Sequence, residues 1–410
     1  MKRVLFLLLC VCVLSPCWAQ KKNFSYDFYG FVRGDLFYNS RANVAAVDDL
    51  FYLYPKDIQK DPNGEDINAG ANGSFYSFTT RLGLNMTGPM LGEARTSAKI
   101  ETDFGGFGPS TTLLRIRQAY VALDWNKAQL FIGQTWHPIS GFGTVMPVDV
   151  LNLSTGAPFN PFNRSPMLRF QYSIDKVKLT AATIWQLQSL SSGPNGASEE
   201  YIKNGCLPEL YVGADYIANN WIIGAGANLI SLKPRTVSTM DNNVYKVNER
   251  VTGLSYEAHV KYTGRNFMFV TKGMLSSMID NSVVLGGYGI KSIDKITGEQ
   301  EYTPYSHATG WMNFTYGNKW KASLFAGYTK NLGTSDALAD PKIAYGKGLD
   351  IDQLYMINPS ISYNLAFWKF GMEYSLSTAY YGDTELNSGK VKDTHSVTNH
   401  RILALMVYMF

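Results

Sequence analysis

The sequence is poor in cysteine, in charged residues and in long apolar runs. Of its four cysteines, three lie within the first 17 residues. The rest of the chain contains one cysteine, Cys206, and a single thiol can form neither an intrachain disulfide nor a multi-thiolate metal site there. Charged residues make up 17% of the chain, well below the roughly 25% of soluble domains. Beyond residue 19 no apolar run approaches the ~18–20 residues of a spanning helix, which excludes a helical membrane protein.

Aromatic residues and glycine, in contrast, are abundant. The 22 Phe, 26 Tyr and 8 Trp exclude a disordered chain. The 37 glycines, with no heptad pattern, argue against a coiled coil or a helical solenoid. The net charge of +4 over 410 residues is too balanced for a nucleic-acid partner. The classes that remain are soluble β proteins and outer-membrane β-barrels.

The first 19 residues have the organisation of an export signal. Lys2 and Arg3 precede an apolar stretch, and small residues at the −3 and −1 positions place a cleavage site after Ala19. We therefore expect a signal peptide, 1–19, followed by one domain, 20–410. Lipoprotein processing at Cys17 is the alternative, although a proline directly before that cysteine fits it poorly.

Period-2 alternation bounded by turn residues predicts sixteen strands. The predicted strands are 24–40, 73–87, 93–104, 111–125, 128–137, 166–174, 177–188, 208–217, 221–232, 251–263, 266–278, 306–317, 319–331, 353–364, 367–382 and 397–410. Long and short connections alternate strictly between them. An even strand count with this alternation is typical of an up-and-down transmembrane barrel with short periplasmic turns and longer extracellular loops. The predicted fold is therefore all-β, a sixteen-stranded antiparallel transmembrane barrel with both termini on the periplasmic side.

The faces of the strands support a membrane barrel. Charged residues repeatedly occupy one face only, and a charge on the lipid face would cost roughly 2–4 kcal/mol at mid-bilayer. Strand 111–125 is the exception, because Gln118 and Asp124 share a face with Ile116 and Tyr120. A subunit contact could hide those polar groups. Aromatic residues flank six of the seven short turns, as expected for a belt at one membrane interface.

The last strand ends on an aromatic residue. The chain stops at Phe410 within an alternating run that begins at Ile402. This resembles the terminal-strand signature that outer-membrane assembly machinery reads, so that machinery is an expected partner. The alternative is the buried last strand of a soluble domain.

Several segments in the first half carry a family resemblance. Residues 29–35, Tyr-Gly-Phe-Val-Arg-Gly-Asp, look like a first porin strand. Residues 115–121, 133–136 and 168–170 are similar to the DcaP-like trimeric porins and to related porins of Bacteroidota. The resemblance implies a sixteen-stranded homotrimer in outer-membrane lipid that passes small, often anionic, hydrophilic solutes. It covers mainly residues 24–175, so the identity of the solute is not carried over.

The long connection 138–165 is expected to fold into the barrel. It has few charges and many apolar residues, and an outward loop of that composition would expose a sizeable apolar patch. We expect it to narrow the lumen, with Asp149 as its acidic group. On the inward faces of the first six strands we expect a basic wall, which would favour anions. Its members are Arg33, Arg81, Arg95, Lys99, Arg115, Arg117 and Arg169. The alternative is that these cations pair with neighbouring acids and brace the wall.

Enzyme and metal chemistry find little support in the sequence. The five histidines lack partners at zinc-site spacing, so we expect no cofactor and no catalytic residue. Acidic residues around Gly64 in the first long loop are a weak calcium candidate; they are Asp61, Asn63, Glu65 and Asp66. The leading function is a passive pore. A surface adhesin or receptor is the second hypothesis and a barrel enzyme the third.

Overall fold

The structure is a computed structural model, and it describes residues 24–46, 51–106, 113–141, 144–152 and 156–410. The predicted signal peptide and its cleavage site lie outside the described residues. The division of the chain into signal and barrel therefore stays a prediction.

Sixteen long strands form one closed antiparallel barrel. In chain order they are β1 (Ser25–Asn39), β2 (Arg81–Leu91), β3 (Ala94–Asp103), β4 (Arg115–Asp124), β5 (Ala128–Trp136), β6 (Arg164–Ile174), β7 (Val177–Ile184), β8 (Glu209–Ala218), β9 (Trp221–Leu232), β10 (Val251–Thr263), β11 (Phe267–Ser277), β12 (Gln300–Gly317), β13 (Trp320–Thr334), β14 (Ile351–Asn364), β15 (Trp368–Thr384) and β16 (Val391–Met409). The predicted fold class is confirmed. Each strand lies within a few residues of a predicted one, except that β2 begins eight residues later and β12 and β16 begin six residues earlier.

The barrel closes where the first strand meets the last. β1 pairs with β16 from Phe31 opposite Met409 to Asn39 opposite Arg401, and with β2 on its other side. Beyond β16, Phe410 exchanges two backbone hydrogen bonds with Gly30, at 3.0 and 3.1 Å. Closure leaves the sheet without an unpaired edge, the condition for a barrel to cross a membrane.

The long connections contain short elements of their own. The strands are Asn43–Ala45, Tyr52–Pro55, Asn72–Tyr76, Ser191–Gly193, Gly196–Ser198, Val237–Met240, Asn243–Lys246, Gly286–Ile293 and Ala344–Lys347; the helical turns are Pro138–Ser140, Glu200–Gly205 and Asp280–Ser282. Asn72–Tyr76 pairs with the far half of β1, so the single predicted strand 73–87 is interrupted before Arg81. No helix in the described ranges is long and apolar enough to span a membrane.

A β-bulge in β4 explains the one strand whose faces looked mixed. Glu101 lies opposite Gln118 and Thr102 opposite Ile116, so Arg117 has no partner in the register. Because of this extra residue, the alternation between lumen-facing and outward-facing side chains changes phase at Arg117. Ile116 points outward, whereas Gln118 is buried on the lumen side. The bulge, rather than a subunit contact, accounts for the polar residues of this strand.

Exposed aromatic side chains cluster at the barrel end that carries the short turns. They include Trp125, Tyr172, Tyr216, Trp221, Tyr316, Trp320, Phe367 and Trp368. We call this the short-turn end and the opposite one the long-loop end. These side chains form the belt of aromatic residues that the sequence predicts beside the short turns. Amphipathic aromatic side chains of this kind prefer the headgroup level of a bilayer.

Candidate functional site

A cavity of about 780 Å³ lies in the lumen between the wall β1–β4 and several loops of the long-loop end. Six cationic residues and one acidic residue line it. The cations are Arg33, Arg81, Arg115, Arg117, Arg164 and Lys347, and the acid is Asp103. Aromatic residues complete the lining, including Phe31, Phe51, Phe78, Trp136 and Phe162. Four of the predicted wall cations therefore meet at this cavity.

Three of these arginines share two carboxylates. Arg117 donates to Glu101 at 2.9 Å and to Asp103 at 2.6 Å. Arg115 binds Asp103 through two bonds of 2.9 and 2.7 Å, and Arg81 lies 3.8 Å from Glu101. Bidentate geometry of this kind is among the stronger forms of ion pair. The group, which we call the arginine cluster, carries a formal charge of +1.

Arg33 is also paired. It donates to Asp35 at 2.6–2.9 Å and to the carbonyl oxygen of Leu151 at 2.7 Å. Asp35 is fully buried and accepts a further bond from Thr79 at 3.0 Å. Arg33 thus fixes a loop residue to the wall as well as lining the cavity.

Two cavity cations were missed by the sequence reasoning. Arg164 stands over the rings of Trp136, at 4.9 Å, and Phe162, at 5.1 Å. The predicted strand began at residue 166, so Arg164 fell into the connection. Lys347 comes from a loop strand and donates to the carbonyl oxygen of Asp280 at 2.8 Å. No alternation marked either residue as inward-facing.

The remaining predicted cations lie outside the cavity. Arg95 is largely exposed at the short-turn end, where it pairs with Asp124 at 3.1 Å. Lys99 stands 4.9 Å from the ring centroid of Tyr29. Arg169 stands 4.2 Å from that of Phe131. Both belong to the lumen face, between the cavity and the short turns.

The described parts of the connection between β5 and β6, 137–141, 144–152 and 156–163, fold into the lumen, as predicted, and dock on the wall β12–β15. The backbone of its segment 148–152 forms hydrogen bonds with side chains of that wall. Asn313 accepts from the N–H of Val148 at 2.6 Å. Glu373, which is buried, accepts from the N–H groups of Leu151 at 2.6 Å and Asn152 at 3.2 Å. Since buried backbone groups need hydrogen-bond partners, these contacts fix the position of the segment on the wall.

Asp149 is the clamp of this docked segment. Its carboxylate lies 2.7 Å from Lys369 and 3.3 Å from Lys321, and its carbonyl oxygen accepts from Ser360 at 2.9 Å. Burial would raise the pKa of the Asp149 carboxyl, but the two lysines outweigh it and hold that pKa below its ordinary value. Asp149 does not line the cavity. Its carboxylate instead holds the loop to the wall through Lys369 and Lys321.

Two further lysines hold the start of the connection. Lys272 on β11 is fully buried and donates to the carbonyl oxygen of Ile139 at 2.6 Å. Lys261 on β10 donates to the carbonyl oxygen of Thr144 at 3.2 Å. The connection is therefore tied to the wall formed by β10–β15.

A second connection also folds inward, which the sequence reasoning did not foresee. Phe51 to Tyr54 in the first long loop are all buried, and they pack with loop and barrel residues in one apolar cluster. Phe51 meets Phe162 with ring centroids 4.8 Å apart, and Tyr381 donates to the carbonyl oxygen of Pro55 at 2.7 Å. The signal was present as four consecutive apolar or aromatic residues in a long polar loop.

The weak calcium candidate is explained by turn formation. Asp61 accepts from the backbone N–H groups of Asn63 and Glu65, both at 2.9 Å, and Asp66 pairs with Arg41 at 3.1 Å. Among the described residues, no group of three or more His, Cys, Asp or Glu side chains could hold a metal ion.

Histidine chemistry is equally local. His259 bridges Asp215 and Glu257 at 2.9 and 2.8 Å, and His395 contacts Asp57 at 2.6 Å. Within the described part of the chain, no serine or threonine hydroxyl is hydrogen-bonded to a histidine ring. The described residues therefore do not bring together the hydroxyl, histidine and carboxylate groups that activate a serine or threonine nucleophile.

Comparisons with known proteins identify the fold. The chain matches no protein-family model, and a comparison with curated proteins finds no similar sequence. The outer membrane channel DcaP of Acinetobacter baumannii is 19% identical over 94% of this chain and 97% of that one, with a TM-score of 0.68. OmpT of Vibrio cholerae, an outer membrane protein in a trimer form, is 13% identical over 94% and 99%, at 0.52. Salmonella typhi OmpF in complex with daunomycin is 11% identical over 94% and 97%, at 0.50. The chain thus has a porin-like fold, as the resemblance implied.

Proposed function

We propose that the protein is an outer-membrane porin that allows passive diffusion of small hydrophilic solutes and favours anions. The observation that carries this proposal is the cavity, where six cations and one acid face a space left open between a barrel wall and several loops. A sixteen-stranded barrel is wide enough for an aqueous lumen. The similar DcaP is an outer membrane channel and the similar OmpT is an outer membrane protein, which supports the same location here.

The sign of the preference follows from the charges at the cavity. Arg33 is offset by Asp35, and the arginine cluster keeps one positive charge in excess. Arg164 forms no ion pair among the described residues, so it adds another. A positive potential in a narrow, low-dielectric passage raises the local concentration of anions.

Planar-bilayer recording of the purified protein tests the proposal. We expect single-channel conductance, and a reversal potential in a KCl gradient displaced toward the chloride equilibrium value. The same preparation should show heat-modifiable gel mobility and strand-dominated circular dichroism. Folded protein that never conducts would overturn the pore and favour the adhesin or receptor alternative, in which the long loops bind a surface partner. Hydrolytic activity without conductance would favour an enzyme.

Assembly is the second expectation of this proposal, and we propose a homotrimer. The outer face of β3 is only weakly apolar, with Thr96, Ala98 and Thr102 beside Ile100, and such a face suits contact with another barrel better than contact with lipid. The trimer form of the similar OmpT supports this assignment. Crosslinking in mild detergent should give trimers, and replacing Ala98 with Trp should reduce them. A ladder that stops at monomer in the unmodified protein would contradict the assembly.

A further inference from the structure

The cations of the cavity and its apolar side chains come from different parts of the chain. Five of the six cations lie on barrel strands, and these are Arg33, Arg81, Arg115, Arg117 and Arg164. The loops that border the cavity contribute mainly apolar side chains, among them Phe51, Met146, Val150, Leu187, Leu190 and Val283. The cavity therefore has a charged strand side and a largely apolar loop side.

The polar residues of the loop side include three that are engaged in contacts of their own. Lys347 donates to the carbonyl oxygen of Asp280 and lies 3.9 Å from its carboxylate. Asn281 donates to Glu209 at 3.2 Å, and Gln188 donates to a backbone carbonyl oxygen of β4 at 2.9 Å. Lys347 is the charged residue that the loop side contributes to the described lining, and Asp280 offsets it.

Arg164 is a buried cation of the strand side that forms no ion pair among the described residues. Its exposed fraction is 4%, and its Nη1 atom has no hydrogen-bond partner within the described ranges. Arg117 and Arg115 repel it more strongly than Asp103 attracts it. A guanidinium has five N–H donors and no acceptor. An anion in the cavity would therefore satisfy Nη1 and relieve the repulsion.

Arg164 lies at the same level of the barrel as the arginine cluster. It stands opposite Trp136 in the register of β5 and β6, and β5 lies between β4 and β6. Gln134, two residues before Trp136, donates to the carbonyl oxygen of Arg117 at 3.3 Å. Because adjacent strands are about 4.8 Å apart, β4 and β6 are about 10 Å apart. Arg117 and Arg164 thus reach one space, the cavity that both line.

The loop side gives a reason for one kind of anion to bind better than another. A hydrated inorganic anion makes no favourable contact with apolar side chains. A solute with an apolar body removes apolar area from water when its carboxylate reaches the arginines, and that removal is favourable. A second carboxylate at the far end of the same solute would be desolvated against apolar groups, which is costly.

We propose that, among small anions, the cavity favours monocarboxylates that carry an apolar body such as a short alkyl chain. The carboxylate lies between Arg164 and Arg117 and accepts hydrogen bonds from Arg164, since planar carboxylates and guanidinium groups match in geometry. The apolar body lies against Leu190, Met146 and Val150. The inference rests on the proposed pore function and names the class of solute that its cavity holds.

Isothermal titration calorimetry of the purified protein in detergent at neutral pH tests the inference with acetate, hexanoate and adipate. The Kd of hexanoate should be about tenfold lower than that of acetate, which corresponds to burial of roughly two of its additional methylene groups. Adipate has the same chain length as hexanoate, with a second carboxylate in place of the terminal methyl group. It should bind more weakly than hexanoate.

Two variants divide the binding between the charged side and the apolar side. Arg164→Gln should weaken acetate and hexanoate alike, by about fivefold or more for a unit charge about 4 Å away in water. Leu190→Asn should weaken hexanoate about fourfold, the effect of roughly one buried methylene group, and leave acetate unchanged. Leu386→Asn is the matched control, because Leu386 is a leucine of the loop between β15 and β16 that does not line the cavity. It should change neither affinity.

The outcomes separate this inference from the pore function itself. Equal affinities for hexanoate and acetate, or tighter binding of adipate, would overturn the inference. So would a protein that conducts and binds none of the three anions, and in each case the pore stands. Tight hexanoate binding by a protein that never conducts would support the cavity as a carboxylate site and overturn the pore. Heat-modifiable mobility of each variant checks that the barrel has folded.

Discussion

Glu373→Gln is expected to release the docked segment 148–152 and to raise the single-channel conductance. The carboxylate of Glu373 accepts two backbone N–H groups, those of Leu151 and Asn152. The amide of glutamine has one oxygen, so its NH₂ group would face one of these donors. Each hydrogen bond to a charged group contributes about 1.5–3 kcal/mol. Losing one should therefore shift the docking equilibrium about tenfold or more toward the free loop.

The effect should grow when the clamp is removed as well. Asp149→Asn takes away the charge that holds Lys369 and Lys321 to the segment. The double variant with Glu373→Gln should show larger conductance and more current noise than either single change, because the segment then loses both of its contacts between a carboxylate and the wall. Planar-bilayer recording measures both quantities.

Glu385→Gln provides the control for this experiment. Glu385 directly follows β15 and pairs with Lys392 at the start of β16, at the long-loop end, so the same chemical change there should leave the conductance unaltered. Normal conductance of the Glu373→Gln/Asp149→Asn variant, in a barrel that keeps its heat-modifiable mobility, would contradict the role of the segment as a constriction.

Replacing Arg115 and Arg117 with Ser is expected to shift the ion preference toward cations and to weaken the barrel. The change leaves Glu101 and Asp103, both buried, with Arg81 as their nearest partner. The formal charge of the cluster then falls from +1 to −1. Breaking a buried ion pair by removing one partner typically costs 3–5 kcal/mol. The reversal potential should move toward potassium, and the temperature at which the heat-modifiable mobility is lost should fall.

A four-fold variant separates charge from packing in this cluster. Adding Glu101→Gln and Asp103→Asn to the two arginine changes restores a cluster charge of +1 through Arg81. The reversal potential should return toward that of the unmodified protein, although the hydrogen bonds stay lost. An unshifted reversal potential in the double variant, with conductance intact, would mean that the two arginines only brace the wall.

The barrel could be predicted because its signals are local. Alternation within a strand and turn residues between strands need no knowledge of distant contacts, and an even strand count allows the first and last strands to pair antiparallel, as they do. The bulge at Arg117 could not be predicted, since one extra residue changes the facing of a strand without changing its composition. It is visible only when β4 is laid against β3.

The site was harder to predict than the fold, because its chemistry depends on pairing across strands. The sequence places Arg117 and Glu101 on neighbouring strands, but whether they face each other depends on the register and on the bulge. The inward course of the first loop depends on Phe51 meeting Phe162, a contact between two long connections. Asp149 was predicted as an acidic group of the narrowed lumen, and its two lysine partners on β13 and β15 instead make it an anchor.

The reversal potential of the unmodified protein in a KCl gradient tests the central claim most directly. We expect a single-channel conductance whose reversal potential is displaced toward the chloride equilibrium value, because the arginine cluster and Arg164 leave an excess of positive charge at the cavity. A reversal potential at zero or displaced toward potassium, recorded from folded protein with intact conductance, would contradict it.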